Sequence, residues 1–222
     1  MSRQTTVGAL AALLVAVLGL PGLPGCRGTY YNVMEKAGWH KRDLLVDRVD
    51  EARGAQEEAK EQFRSALDRL LELTRVEGGE LRRTYDALRS ELDRSESRAK
   101  AVRDKIGEVE QVAGDLFAEW EKELEEYQSA DLRRQSRQRL DGTRARYQEL
   151  ITLMRRAEGR MEPVLAILRD QVLYLKHNLN AQAVAGLEGT LGEIERDVAA
   201  LVRDLEVAIA QAEAFVRETP RD

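Results

Sequence analysis

From about residue 45 onward the apolar positions step by three and four. In the first run they read Leu45, Val49, Ala52, Gln56, Ala59, Phe63, Ala66, Leu70 and Leu73. The second reads Leu81, Tyr85, Leu88, Leu92, Ser95, Ala99, Val102, Ile106, Val109, Ala113, Leu116 and Trp120. The third reads Leu140, Thr143, Tyr147, Leu150, Met154, Ala157, Met161, Val164 and Leu168, and the fourth Val184, Leu187, Leu191, Ile194, Val198, Leu201, Leu205, Ala208, Ala212 and Phe215. A seam of this kind, held over several heptads, belongs to helices that pack along their length. The breaks fall between the runs: Glu77-Gly78-Gly79, Gln128 to Asp131, and Asn178-Leu179-Asn180. Glycine stops a helix, and Ser129, Asp131 and Asn180 are suitable N-caps. The spacing predicts helices over 31–76, 80–127, 131–178 and 181–217. Short connections make neighbours antiparallel, so the expected fold is all-α: an elongated up-down-up-down bundle of about four long helices, closed or partly splayed. Pro163 interrupts the third run without shifting its phase, which predicts a kink eased by Gly159. An alternative keeps 168–190 as one helix, because Leu175, Leu179, Ala183 and Leu187 also step by four.

Some positions resist the pattern. Gln56, Ser95 and Thr143 put polar groups on the seam. They specify register or hold a buried water, or they line a polar ligand pocket. Ala181, Ala183, Ala185, Gly186, Gly189 and Gly192 make the start of the fourth helix small. Each helix-interior glycine costs about 1 kcal/mol against alanine, so close approach of a neighbouring helix is expected there, or a groove for a partner helix.

The N-terminus is different in kind. Arg3 precedes a 14-residue apolar stretch, Val7 to Leu20, followed by Pro21-Gly22-Leu23-Pro24-Gly25-Cys26. A membrane span usually needs about 20 apolar residues; this length suits a signal peptide. Leu23, Gly25 and Cys26 resemble a bacterial lipobox. On that reading cleavage falls between Gly25 and Cys26, residues 1–25 are removed, and residues 26–222 form a single helical domain carrying lipid on Cys26. An uncleaved signal anchor and a secreted protein with a free thiol are the alternatives. Arg27 after the cysteine is expected to direct the protein to the outer membrane, facing the periplasm.

Composition narrows the chemistry. The chain has 222 residues, 34% of them charged and 5% aromatic, with a net charge of −5. The lone cysteine excludes an intrachain disulfide and a Cys-x-x-Cys site. The two histidines, His40 and His177, lack the Glu-x-x-His spacing of bundle metal sites. No phosphate-binding Gly-x-x-x-x-Gly-Lys-Ser/Thr loop occurs. No enzyme activity, cofactor or metal is expected, and negative charge with few aromatics argues against nucleic acid. Glu119, Glu121, Glu123, Glu125 and Glu126 end the second helix, and Arg133, Arg134, Arg137, Arg139, Arg144 and Arg146 begin the third. Both clusters have the wrong sign for their helix dipoles. An antiparallel hairpin lets them pair; alternatively Arg133, Arg134 and Arg137 face anionic lipid.

Two stretches, YYNVMEKAGWHKRDLLVDRVDEARGAQEEAKEQF (30–63) and VLYLKHNLNAQAVAGL (172–187), resemble the bacterial domain-of-unknown-function 2959 family of envelope lipoproteins. The resemblance implies an envelope-associated helical protein and carries over no catalytic residue. The expected role is non-enzymatic: a lipid-anchored rod that binds another protein or serves a structural purpose, with self-association a further expectation. An anchor at Cys26 makes the 128–131 connection membrane-proximal. Gly78, Gly79, Lys176, His177, Asn178 and Asn180 then form a distal tip for a partner. Tyr30, Tyr31 and Trp39, near the anchor, either pack on the lower bundle or sit among lipid headgroups.

Overall fold

The computed structural model describes residues 41–75 and 79–219, all within one unit spanning Trp39–Asp222. Four helices account for nearly all of them: α1 (Lys41–Leu73), α2 (Gly79–Glu126), α3 (Ala130–His177) and α4 (Ala181–Glu218). No strand occurs among the described residues. At 1.5 Å per residue, α2 and α3 are each about 72 Å long. The helices pack in a ring, α1 on α2, α2 on α3, α3 on α4 and α4 back on α1. The bundle is therefore closed.

The seams predict the core closely. All forty seam positions are buried except Trp120 and Leu191, which are half-buried. Phe63, Leu88, Ile106, Leu150, Met154 and Phe215 are among the largest side chains wholly removed from water. Ion pairs fix the order and direction of neighbours. Lys105 to Glu51 at 2.8 Å, Arg48 to Glu108 at 3.4 Å and Lys41 to Glu119 at 2.6 Å tie α1 to α2. Arg155 grips Glu110 through two nitrogens, at 2.9 and 2.5 Å, joining α3 to α2. Arg156 meets Asp204 at 3.0 Å, joining α3 to α4, and Arg64 meets Glu206 at 2.8 Å, joining α1 to α4. With Arg144–Glu121 and Arg169–Glu96 between α3 and α2, and Arg53–Glu213 between α1 and α4, residue numbers rise on one helix as they fall on its neighbour, and the three-residue connection makes α3 and α4 antiparallel as well.

The caps are local chemistry. Ser129 is the N-cap of α3, its Oγ accepting from Leu132 N–H at 3.4 Å. Asn180 caps α4 from an extended backbone, its Oδ1 accepting from Ala183 N–H at 3.0 Å. That cap ends the continuous 168–190 alternative: α3 stops at His177. Pro163 lies within α3 and does not divide it. The predicted boundaries of α2, α3 and α4 are within one residue of those observed. The first helix ends earlier than the predicted 76: it stops at Leu73, and residues 74 and 75 form a turn in which Arg75 N–H donates to the Glu72 carbonyl at 3.0 Å. Its predicted start at residue 31 lies outside the described residues, as do Cys26, the whole signal segment, Tyr30, Tyr31, Trp39, His40 and Gly78. Among the described residues, no helix is long and apolar enough to cross a membrane.

Candidate functional site

The polar seam residues do not converge on one pocket. Gln56 is fully buried on α1, and neither its Oε1 nor its Nε2 has a partner. Ser95 is buried on α2 and donates to the Glu91 carbonyl at 2.8 Å. Thr143 is buried near the start of α3, with Arg146 donating to its hydroxyl at 3.5 Å. The antiparallel register puts Thr143 level with about residue 121 of α2, far along the bundle from Ser95.

A residue that the heptads do not mark completes the Ser95 cluster. Glu91 is a carboxylate only 6% exposed. Gln62 on α1 donates to its Oε2 at 2.5 Å and to its carbonyl at 3.2 Å, and Arg94 pairs with its Oε1 at 2.5 Å. Burial acts to raise its pKa, but the Gln62, Arg94 and Ser65 hydrogen bonds outweigh that and hold the carboxyl below its ordinary 4.5. A depressed folded-state value gives stability that is complete above the unfolded value and lost as pH falls through the folded one. Glu91→Gln is therefore expected to flatten the acid limb of the stability curve below pH 4.5. Urea midpoints measured at pH 3 to 7 check this; parallel curves for both proteins would refute it. The adjoining groove of about 450 Å³, lined by Glu57, Glu58, Glu61, Gln62, Ser65 and Arg98, is open to solvent. Its charges are already spent: Lys60 serves Glu57 and Glu61, and Arg98 serves Glu58.

Lys176, His177 and Asn178 are exposed at the end of α3. Asn178 and Asn180 work for the backbone: Asn178 Nδ2 donates to the Tyr174 carbonyl at 3.0 Å, and Asn180 N–H donates to the Asn178 carbonyl at 2.9 Å. Gly79 opens α2. Sequence reasoning missed the two apolar residues here. Leu173 is 60% exposed and Tyr174 50%, and Leu132 and Val207 are the other large apolar side chains so exposed among the described residues.

Helix geometry says what Tyr174 faces. Arg156 on α3 pairs with Asp204 on α4. Eighteen residues make five turns. Five turns toward the α3–α4 end, the same flanks carry Tyr174 on α3 and Gly186 on α4. A side chain added at Gly186 or Gly189 would meet nothing within 4 Å, and one at Gly192 only Arg196, at 3.8 Å. The expected close helix approach at these glycines is therefore not what they serve. They are exposed, as is Tyr174. Gly189→Ala is expected to stabilise the fold by about 0.5–1 kcal/mol, since helix propensity improves with no clash. Thermal denaturation checks it; a loss of stability would mean that the glycine backbone is packed against something.

The opposite end carries the charged clusters, and the expected pairing is only partial. Arg144 reaches Glu121 at 2.8 Å and stacks 5.1 Å from the Phe117 ring centroid. Phe117 packs edge-on to Tyr147 at 5.4 Å, and burial, reinforced by the Glu110 charge, pushes the Tyr147 phenol up to about 12. Trp120 donates to Ser136 at 2.9 Å. Beyond this clamp the arginines turn to local partners. Arg133 donates to the Tyr127 carbonyl at 2.9 Å and Arg134 pairs with Asp131. Arg137 and Arg139 are exposed and form no ion pair with any described residue.

Among the described residues no group of three His, Cys, Asp or Glu side chains is placed to hold a metal ion. No curated protein and no solved structure matches the chain. Residues 30–219, all four described helices included, match the family model described as a protein of unknown function, DUF2959, and the chain belongs to that family.

Proposed function

We propose that this protein is a lipid-anchored, non-catalytic rod of the bacterial cell envelope whose α3–α4 end binds another protein. The anchor reading is supported by Arg3, the Val7–Leu20 stretch and Leu23-Pro24-Gly25-Cys26. The binding reading is carried by one observation: Leu173 and Tyr174, adjacent in α3, are both exposed near the end of the bundle. Single exposed apolar residues are ordinary. Two adjacent ones at the end of a long bundle, followed by exposed Lys176 and His177, make a patch of the mixed type that protein interfaces use. Lys41 pairs with Glu119 near the other end, and only residues 27–40 separate Lys41 from Cys26. A lipid there leaves the Leu173–Tyr174 patch roughly 40 Å along the helices from the level of Lys41, at 1.5 Å per residue.

The test has two parts. Metabolic labelling with a palmitate analogue is expected to mark the wild type and not Cys26→Ser; label on neither would remove the anchor. A photo-crosslinker at His177 in the full chain is expected to trap one dominant partner in the envelope. Leu173→Ser/Tyr174→Ser should reduce that adduct about tenfold with helicity unchanged, in line with the loss of one interface anchor. An adduct insensitive to the double variant would place the partner elsewhere.

A further inference from the structure

The α2–α3 end is a second surface, independent of the α3–α4 patch. Arg53 lies 3.9 Å from Glu213, which puts the last residue of α4, Glu218, level with about residue 48 of α1. Lys41 is level with Glu119, and α2 continues to Glu126. At 1.5 Å per residue the α2–α3 hairpin therefore runs roughly 20 Å past the end of α4. Its surface follows from this. From Ala130 to Arg139 every residue is exposed except the half-buried Ser136, and from Glu121 to Glu126 every residue except Leu124.

Charge on this projection is divided by helix. Residues 121–139 carry five acidic and five basic side chains, for a net charge of zero. Four of the five acids are on α2 and four of the five bases on α3. Glu125 and Glu126, like Arg137 and Arg139, make no ion pair with any described residue. Exposed Leu132 lies in the first turn of the basic helix. An anionic lipid surface attracts basic residues near the headgroups, and equal numbers of acids at the same end oppose that gain. A partner that carries both signs does not meet this conflict.

We infer that the projecting hairpin pairs with the same hairpin of a second copy. A two-fold axis along the bundle sets α2 of one copy against α3 of the other, and the reverse, so a self-complementary patch meets itself. The Glu125–Glu126 face then lies twice on the α3 flank that carries Arg139, and the two Leu132 side chains, one heptad from Arg139 on that same flank, are brought toward a shared, less hydrated seam. All four helices of the junction alternate in direction, as they do within the bundle itself. The axis also leaves both copies pointing the same way, which suits two chains attached to one surface.

The experiment uses full-length copies bearing two different affinity tags, co-expressed and purified in mild detergent at low salt. Wild-type copies are expected to co-purify. Arg133→Glu/Arg137→Glu/Arg139→Glu with itself, and Glu125→Arg/Glu126→Arg with itself, should each lower recovery of the second tag at least tenfold, with circular dichroism unchanged. Mixing the two variants should restore it, because the reversed charges complement each other. Recovery insensitive to both variants, or absent in the wild type, would overturn the proposal. So would failure to restore in the mixed pair. Loss of flotation with anionic phosphatidylglycerol vesicles in the arginine variant, without any co-purification of wild-type copies, would assign the arginines to lipid instead. None of these outcomes depends on palmitate labelling or on the His177 adduct, so this inference and the proposed function fail separately.

Discussion

Pro163→Ala is expected to stabilise the bundle by about 2–3 kcal/mol. Proline in a helix interior costs about 3 kcal/mol against alanine, because it lacks the N–H and its ring crowds the carbonyl four residues back. Part of that is offset by its smaller entropy in the unfolded chain. Here the residue four back is Gly159, which has open space around its Cα. Pro163 is exposed, while Met161, Val164, Leu165 and Leu168 around it are buried. The substitution therefore adds a backbone hydrogen bond without touching the core. For a domain of this size the gain corresponds to a rise in Tm of very roughly 4–10 °C. Chemical denaturation with an unchanged m-value is the measurement. A destabilised variant would show that α3 needs a bend at this point to keep Val164 and Leu168 seated.

Gln56→Leu carries the other large effect, a gain of about 1–3 kcal/mol. Gln56 is fully buried with both amide atoms unpartnered, and a buried polar group left unpaired costs about that much. The register set by Arg98 with Glu58 and Lys105 with Glu51 puts the buried Ala99 and Val102 of α2 at its level. Leucine has similar volume and suits that apolar layer. What the glutamine supplies instead is specificity: a polar seam residue disfavours registers that bury it worse. The expected signature is higher stability together with weaker discrimination of register, read as broadened amide resonances or added oligomers. A stability unchanged or lowered by leucine would mean that the amide holds an internal water and is satisfied after all.

The glycines and charges mark where the sequence stops being legible. Heptad phase depends on residues three and four apart on one helix, so it could be read along the chain, and it picked out Phe63, Leu150 and Phe215 as core. Caps are similarly local: Ser129 and Asn180 each satisfy an N–H three residues on. Glu91 could not be found this way. It stands one position before the seam residue Leu92, and its burial depends on Gln62 arriving from α1. The exposure of Leu173 and Tyr174 was hidden for the same reason. Both fall on an apolar stretch of α3, and only the placement of α4 decides which of those residues it covers.

The sequence by itself determined the four helices, the boundaries of α2, α3 and α4, the antiparallel order and almost the entire core, because short-range periodicity and capping act within single helices and across short connections. The tertiary structure decided the rest. Closure of α4 onto α1 makes the ring, buries Gln56 without a partner and turns Gly186 and Gly189 outward. It also leaves the α2–α3 hairpin extending past the end of α4 with Arg137 and Arg139 unpaired. These outcomes depend on which flank of a helix meets which neighbour and at what level. That is a sum of weak contacts between residues far apart in the chain, and no local pattern records it.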